Sequence, residues 1–184
     1  MVYVFLAEGF EEIEAISVID ILRRCGLFVT TVSISDNLLV AGAHGISVVA
    51  DGYLEDVDFE AGRAFVLPGG LPGSDNLQAC GELEKMLKKA DRAEKIVAAV
   101  CAAPKILGAF GITEGRCATC YPGYEKELLG ATPKEDRVVV DGHVITSRGA
   151  GTAADFAFAI AKALGADPEP VRKGMLYDLQ NTTI

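Results

Sequence analysis

The sequence has no cluster of basic residues, and this absence excludes one large class of partner. It contains 17 Lys and Arg against 26 Asp and Glu, a formal net charge of −9 over 184 residues. Arg23-Arg24 and Lys88-Lys89 are isolated pairs, whereas binding to a phosphate backbone needs a concentrated basic patch. We therefore expect no nucleic-acid partner, and the acidic excess favours solubility.

Long apolar runs are also missing. No segment approaches the roughly 18 consecutive apolar residues that cross a bilayer. The apolar residues 1–6 are followed at once by Glu8, Glu11, Glu12 and Glu14, whereas a signal peptide has a basic start and a longer apolar stretch. The prediction is a cytoplasmic protein that does not contact membranes.

Cysteine is too sparse for a disulfide framework. The chain has five cysteines, an odd number that cannot all pair within one chain, and cytosolic thiols are normally reduced. Cys117 and Cys120 have the spacing of a redox or metal pair, but no second such pair and no histidine pair completes a zinc site. If residues 116–120 form a strand, the two thiols face opposite sides. We predict neither a metal nor a cofactor.

Short β-type runs alternate with helical runs along the whole chain. We predict strands at residues 2–6, 28–34, 65–67, 96–100 and 116–120, helices at 10–25, 77–90, 103–110 and 152–164, hairpins at 40–50 (through Gly42–Gly45) and at 137–146 (through Asp141-Gly142), a helical turn at 123–129 and a short helix at 171–179. Thr152 and Asp155 have capping-box spacing at the start of the last long helix.

This alternation predicts an α/β protein with a mainly parallel sheet and helices on both faces. No linker, repeat or low-complexity stretch divides the chain, so a single domain over residues 1–184 is expected. Sites in such sheets lie beyond the carboxyl ends of the strands. Loops 7–10, 68–74 and 101–103 follow strands in this way, and the fold could bring them together.

Cys101 comes directly after an apolar strand and almost directly before a helix. The turn between them must be tight, and the neighbouring alanines suit a sharp elbow that resembles a nucleophile elbow without the G-x-S-x-G serine pattern. A thiol at a helix N-terminus lies in the positive end of the macrodipole, which favours the nucleophilic thiolate. The competing interpretation is a buried, inert cysteine.

Glu14 lies on the apolar side of the first predicted helix. Helical periodicity places it on one face with Val18, Ile21 and Cys25, so it is expected to face the interior. A buried, unpaired carboxylate is costly, and its pKa rises until it is protonated and can donate a hydrogen bond to a thiolate. Partial exposure at the helix end is the alternative. Glu11 and Glu12, in the first turn, are interpreted as solvated capping-type residues.

The segment PGGLPGS at residues 68–74 follows another predicted strand. Its glycines allow backbone N–H groups to approach a ligand, and with the N–H of Ala102 they could form an oxyanion hole. A phosphate loop is the competing function, but G-x-x-x-x-G-K-[ST] and G-x-G-x-x-G are both absent. A plain turn is the remaining alternative.

Three further polar residues are candidates for the site. His44 and His143 lie in predicted turns, and each is interpreted as a surface residue in preference to a catalytic base. Arg148 follows the strand that ends near Ser147. It could anchor an anion, contact a second subunit or simply occupy a loop.

In chain order, these segments resemble the ThiJ/PfpI superfamily, in particular its DJ-one clade, the protein deglycase family linked to parkinsonism. The matching segments run along nearly the whole chain and are specific only together. They are AEGFEEIE at 7–14, LRRCG at 22–26, VLPGG at 66–70, AVCAAP at 99–104 and ITSRGAGT at 145–152.

The resemblance implies a flavodoxin-like α/β sandwich, usually a homodimer, with Cys101 as the reactive and oxidisable cysteine. It implies that Glu14 is the protonated glutamate that hydrogen-bonds this cysteine. Gly70 and Ala102 would supply the oxyanion-hole amides, and we include Gly69, Tyr121 and Arg148 as possible pocket residues.

Two departures from the family pattern narrow the expected chemistry. Animal members of the clade have a histidine where Tyr121 stands here, so a histidine base beside the thiolate is not expected. The peptidase-like and glyoxalase-III branches place a histidine directly after the cysteine, where this chain has Ala102. An intracellular cysteine peptidase is therefore disfavoured.

The leading functional hypothesis is a cofactor-free thiol enzyme that converts an α-oxoaldehyde such as methylglyoxal, or its adducts, to a hydroxy acid. In it Glu14 shuttles the proton and the Gly70 and Ala102 amides hold the oxyanion. The alternative is a redox-sensing stress protein or chaperone in which an oxidant converts Cys101 to a sulfinic acid stabilised by Glu14. A thiolate beside a protonated carboxyl suits both. A purely structural domain is the third hypothesis.

Overall fold

The computed structural model describes residues 1–178. The strands are β1 (Val2–Leu6), β2 (Val29–Ser33), β3 (Leu39–Ala41), β4 (Ser47–Val49), β5 (Gly52–Tyr53), β6 (Ala64–Leu67), β7 (Ile96–Val100), β8 (Cys117–Ala118), β9 (Thr132–Pro133), β10 (Val138–Asp141) and β11 (Val144–Ser147). The helices are α1 (Glu12–Arg24), α2 (Gly73–Ala79), α3 (Gly81–Arg92), α4 (Pro104–Ala109), α5 (Ala153–Ala163) and α6 (Glu169–Gly174), with 3₁₀ turns at Leu54–Asp56, Glu125–Glu127 and Ala150–Thr152.

A seven-stranded sheet forms the centre of the molecule, in the order β10-β11-β7-β6-β1-β2-β5. Its pairings are parallel except for the β10–β11 hairpin, which turns at the predicted Asp141-Gly142 position. The mainly parallel α/β fold predicted from the alternation of strands and helices is confirmed.

Each face of the sheet has its own apolar core, because successive side chains of a strand point to opposite sides. In β1, Val2, Val4 and Leu6 pack into the core beneath α1 and α5, whereas Tyr3 and Phe5 pack into the core on the side of α2, α3 and α4. All five residues of β1 are buried, as expected for a central strand covered by helices on both faces.

The short β3–β4 hairpin stands apart from the main sheet and packs against the loop after β1. The predicted turn in the Gly42–Gly45 region is confirmed. The N–H of Gly9 donates to the carbonyl of Ala41 at 2.8 Å, and the N–H of Ala43 donates to the carbonyl of Phe10 at 2.8 Å. Phe10 is therefore bridged to the hairpin, and α1 begins only at Glu12 instead of at residue 10.

The prediction of a single helix over residues 77–90 is wrong. Two helices occupy this region, and the chain is extended at Cys80 between them, with φ −81° and ψ 99°. The first helix also begins earlier, at Gly73, because the N–H groups of Ser74 and Asn76 donate to the carbonyls of Gly70 and Pro72. This early start ties α2 directly to the glycine-rich loop.

Three smaller expectations also change. The strand predicted at 116–120 shortens to β8, which pairs with β9. The capping box of Thr152 and Asp155 does not form, because the Thr152 hydroxyl bonds to Gly149 and Ser147 and the Asp155 carboxylate pairs with Arg137. The terminal helix ends at Gly174, and residue 179 of its predicted span lies outside the described residues.

Strands β1, β6 and β7 are neighbours in the sheet and run in the same direction. The three loops that follow them, at residues 7–10, 68–74 and 101–103, therefore lie side by side at one edge, as the strand pattern predicts. Within residues 1–178, none of the helices has the length and apolar character needed to cross a bilayer. A cytoplasmic location and a single domain over 1–184 stay predictions.

Candidate active site

Cys101 occupies a strained turn between β7 and α4. Its φ is +64°, in the left-handed region that non-glycine residues rarely enter and that costs on the order of 1–3 kcal/mol. Two hydrogen bonds hold the residue there: its N–H donates to the carbonyl of Ser147 at 3.0 Å, and its carbonyl accepts from the N–H of Tyr121 at 2.8 Å. The sharp elbow predicted from the sequence is confirmed, and its thiol is half-buried and unpaired.

Glu14 lies in the first turn of α1 with its side chain in the protein interior. The residue is completely buried, and its Oε2 accepts a 2.8 Å hydrogen bond from the N–H of Gly69. Its other oxygen, Oε1, is buried without a hydrogen-bond partner among the described residues. The predicted inward orientation is confirmed. An unsatisfied buried acceptor costs about 1–3 kcal/mol, so this oxygen fits a protonated hydroxyl better than a carboxylate.

Gly69 makes the approach of Glu14 to Cys101 possible. A Cβ atom on Gly69 would lie 2.7 Å from the Cys101 Cβ and 2.8 Å from the Glu14 Oε2, closer than non-bonded atoms approach. The next residue, Gly70, has φ +91°, and a Cβ there would lie 2.5 Å from the N of Glu11. The glycine loop is therefore built for close contact between backbone and side chains and is more than a plain turn.

The backbone N–H groups of Ala102 and Gly70 act on the Cys101 sulfur and oppose the rise in its pKa. The site thus brings together the two amides predicted to line an oxyanion hole. Two N–H donors aimed at one sulfur stabilise negative charge on that atom or on an oxygen bound beside it.

Burial dominates the electrostatics of the pair. Burial raises the pKa of the Glu14 carboxyl to about 7, against the opposing hydrogen bonds from Gly69 and Cys101. Burial, followed by the negative charge on Glu14, raises the pKa of the Cys101 thiol, and the amides of Ala102 and Gly70 oppose this. The two groups therefore do not both lose their protons near neutral pH, and they hold at least one proton between them.

This finding corrects the expectation that the helix macrodipole lowers the thiol pKa. Cys101 lies two residues before the N-cap of α4, and that helix has only six residues. The macrodipole effect is typically 0.3–1 kcal/mol and is confined to the first turn. Burial and the adjacent carboxyl outweigh it.

Tyr121 and Arg148 flank the elbow through neighbouring residues. The ring of Tyr121 packs beside Gly149 and is about half exposed, and its backbone N–H bonds Cys101 as described above. The Arg148 guanidinium lies 3.5 Å from the Thr119 hydroxyl. A pocket role for Gly69, Tyr121 and Arg148 stays a prediction.

The prediction that Glu12 is solvated is wrong, because the residue is buried. Its Oε1 accepts from the N–H of His44 at 2.6 Å, and its Oε2 lies 2.8 Å from the His44 Nδ1. Burial opposes ionisation, but the hydrogen bonds from His44 and Ile46 hold the pKa of Glu12 down at about 2. Glu11 is confirmed as a capping residue, since its carboxylate accepts from the N–H of Glu14.

The histidines behave differently from each other. The side chain of His44 is 70% exposed, as expected for a surface residue, but it is fixed by Glu12. His143 is wrongly predicted to be a surface residue, because its side chain is only 16% exposed and bonds to Asp91 at 2.8 Å. Neither pairing has a local sequence signal, since 32 and 52 residues separate the partners.

We assign no metal to the described residues. The ligand-type atoms of Glu11, Glu12 and His44 lie within 4.8 Å of one another. However, the Glu12 oxygens are already engaged by backbone N–H groups and the imidazole. Cys117 and Cys120, also considered for a metal or redox pair, are both unpaired thiols, one half-buried and one buried.

A comparison with protein-family models matches residues 1–163 to the DJ-1/PfpI family. The chain belongs to this family. Protein DJ-1 homolog B of Arabidopsis thaliana is 43% identical over 161 residues, which cover 86% of this chain and 37% of the relative. The protein therefore spans about two fifths of the length of this plant relative and of DJ-1 homolog A from the same plant, which it matches over 41% of its length.

Other relatives of similar length agree with this assignment. A Caenorhabditis elegans protein named glutathione-independent glyoxalase DJR-1.2 is 36% identical, over 85% of this chain and 84% of that protein. The structure of oxidized Toxoplasma gondii DJ-1 superimposes with a TM-score of 0.91 at 32% identity, covering 95% of this chain and 97% of the other. The recognised family and the flavodoxin-like α/β fold are both confirmed.

Proposed function

We propose that this protein is a cofactor-free enzyme that uses Cys101 to convert small α-oxoaldehydes, or their adducts with amines and thiols, to hydroxy acids. The observation that carries the proposal is the buried Glu14 carboxyl, with one oxygen left unpartnered, next to the Cys101 thiol at the strained elbow. This arrangement suits a thiolate nucleophile with a neutral acid next to it. The glyoxalase name of the C. elegans relative supports the same class of substrate.

The reaction divides into addition, isomerisation and hydrolysis. The Cys101 thiolate attacks the aldehyde carbon, and the aldehyde oxygen, held by the amides of Gly70 and Ala102, receives a proton from Glu14 to give a hemithioacetal. A proton then moves from C1 to C2, and the C1 hydroxyl proton passes to the C2 oxygen, while the electron pairs shift within the substrate to give a thioester of the hydroxy acid. Water cleaves the thioester and restores the thiol, so no external oxidant or reductant is consumed.

Replacing Cys101 with Ser is expected to abolish conversion of methylglyoxal to lactate, because a serine hydroxyl in this site is a far weaker nucleophile than a thiolate. Product formation is measured by chromatography of lactate with wild type, Cys101→Ser and Cys80→Ser. Cys80, half-buried at the start of α3, is the matched control and should keep full activity. Undiminished lactate formation by Cys101→Ser would contradict the proposal.

A redox-sensing role is the second candidate, and one comparison favours it. The similar Toxoplasma structure is that of an oxidized DJ-1. In this protein, peroxide would add two oxygens to the Cys101 sulfur, and the protonated Glu14 would donate a hydrogen bond to the resulting sulfinate. The half-buried position of Cys101 leaves access for a small oxidant.

Mild peroxide treatment followed by peptide mass spectrometry tests this role. Two added oxygens are expected on Cys101 alone, and the Glu14→Leu variant should instead proceed to three oxygens or stay unmodified, because it lacks the donor to the sulfinate. Equal oxidation of all five cysteines would count against a sensor, since selectivity requires a distinct microenvironment at Cys101.

We also propose that the protein forms a homodimer through an exposed apolar surface on α1 and the β3–β4 hairpin. Large side chains with 41–67% exposure share this surface, namely Ile13, Ile16, Leu39, Ile46 and Val49. Ile16 and Val49 line one groove between the helix and the hairpin. A contiguous exposed apolar surface is typical of a protein interface.

The variant Val49→Glu should be monomeric by sedimentation equilibrium, whereas wild type should be dimeric, because a charge in the centre of an apolar interface is desolvated without a partner. Val140→Glu is the matched control: Val140 is 55% exposed on the edge strand β10, away from this surface. A monomeric wild type, or a Val49→Glu dimer as stable as wild type, would refute the proposal.

A further inference from the structure

Lys105 is a buried lysine in the first turn of α4, the helix that follows the Cys101 elbow. The first five residues of this helix are all buried, and Lys105 is the one among them that bears a charge. Its side chain is only 8% exposed. Because a buried ammonium is costly unless it is paired, its place in an otherwise apolar segment requires a specific partner.

The partner is Asp75, in the first turn of α2. The Lys105 Nζ donates to the Asp75 Oδ1 at 2.5 Å, and the Asp75 side chain is 59% exposed. The ammonium also lies 5.4 Å from the centre of the Tyr124 ring. Glu127 is the other charged residue that lines the same surface cleft. Lys105 therefore faces carboxylates from two elements and pairs with the one on α2.

The Lys105–Asp75 pair joins the two segments that supply the amides of Gly70 and Ala102. On one side, the N–H and the hydroxyl of Ser74, next to Asp75, donate to the carbonyl of Gly70 at 2.9 and 2.8 Å. On the other side, the N–H of Lys105 itself donates to the carbonyl of Ala102 at 3.3 Å. The ion pair thus fastens the start of α2, and the glycine loop bonded to it, to the elbow.

The two segments have little other polar contact. β6 and β7 are paired as far as Leu67 and Ala99. Beyond that point, and apart from the contacts of Cys101 itself, this ion pair is the only hydrogen bond or ion pair that joins residues 68–79 to 101–110 within the part of the chain that the structure describes. The other hydrogen bonds from the glycine loop to the rest of the chain run to the opposite side, toward α1 and the loop before it.

We propose that Lys105, through its ion pair with Asp75, is a positioning residue that sets the spacing of the Gly70 and Ala102 amides. This inference rests on the proposed function, in which those amides hold the aldehyde oxygen, and it assigns neither Lys105 nor Asp75 a contact with the substrate. The spacing matters because loss of one oxyanion-hole donor typically costs about 10²–10³ in kcat, and a displacement of about 1 Å can cost about 10².

The test measures methylglyoxal turnover and the pH dependence of Cys101 alkylation in wild type, Lys105→Met and Lys105→Arg. Lys105→Met should lower kcat by about tenfold and change KM by less than about twofold, because the amides act mainly on the charge that develops in the transition state. Its alkylation midpoint should move to higher pH, since the two amides oppose the rise in the pKa of the thiol. Lys105→Arg should restore both values, because a guanidinium can still pair with Asp75.

Asp75→Ala separates positioning from a direct effect of charge. Loss of the positive charge at position 105 would by itself raise the alkylation midpoint, whereas loss of the negative charge at position 75 would lower it. If the pair acts by positioning, Asp75→Ala raises the midpoint and lowers kcat, as Lys105→Met does. The double variant should then be no worse than either single variant. Because Asp75 is largely exposed, its replacement also keeps the test possible if Lys105→Met does not fold.

Lys88→Met is the matched control and should keep the wild-type kcat and midpoint. Lys88 likewise pairs with a carboxylate, that of Glu84 at 2.6 Å, and lies 5.9 Å from the ring of Phe110, but both members of this pair belong to α3.

The possible failures are distinguishable. If wild type forms lactate while Lys105→Met and Asp75→Ala keep its kcat and midpoint, the inference is wrong and the proposed function stands. Midpoints that shift in opposite directions in these two variants would also overturn the inference, because they would show a direct effect of charge. A lower kcat with an unchanged midpoint would mean that the pair only supports the fold. Absence of lactate formation by wild type would refute the proposed function, and the alkylation midpoints would still decide whether the pair positions the amides.

Discussion

The buried contact between the Glu14 carboxyl and the Cys101 thiol is the constraint on which the rest of the site depends. Burial makes two negative charges at this position unfavourable, so the pair keeps at least one proton near neutral pH. The surrounding groups decide where that proton rests. Burial and the charge of Glu14 favour the proton on the sulfur, whereas the amides of Ala102 and Gly70 and the unpartnered oxygen of Glu14 favour it on the carboxyl. The proposed function requires the second arrangement, a thiolate beside a neutral acid.

The fold supplies this contact through three adjacent parallel strands. All three strands end at the same edge of the sheet. The chain continues from β1 into the start of α1, from β6 into the glycine loop and from β7 into the strained elbow. The absence of a side chain at Gly69 lets the thiol and the carboxyl meet, and hydrogen bonds from Ser147 and Tyr121 hold Cys101 at its unfavourable φ. Strain at the nucleophile is therefore offset by the backbone around it.

The local pattern of apolar residues was enough to predict the positions of site residues that lie at a strand end or on a helix face. Cys101 follows a five-residue apolar strand, and Glu14 shares a helix face with Val18 and Ile21, so both positions could be inferred before any contact was known. Contacts distant in sequence could not be inferred. The Glu12–His44 pair joins α1 to a hairpin tip. The direction in which the pKa of the Cys101 thiol shifts depends on tertiary burial, which outweighs the helix dipole. The break between α2 and α3 at Cys80 could not be predicted from the sequence either, because the apolar periodicity continues through this residue.

The location of the shared proton is tested most directly by the pH dependence of Cys101 alkylation in wild type and Glu14→Gln, followed by peptide mass spectrometry. If Glu14 donates its proton to the thiolate, an amide in its place is a weaker donor. The alkylation midpoint should then move to higher pH by about one unit, since one unit corresponds to about 1.4 kcal/mol and hydrogen bonds to charged groups contribute about 1.5–3 kcal/mol. Glu11→Gln removes a neighbouring carboxylate and no donor to the sulfur, so it controls for net charge. A shift to lower pH in Glu14→Gln would contradict the account, because it would show that Glu14 is ionised and repels the thiolate.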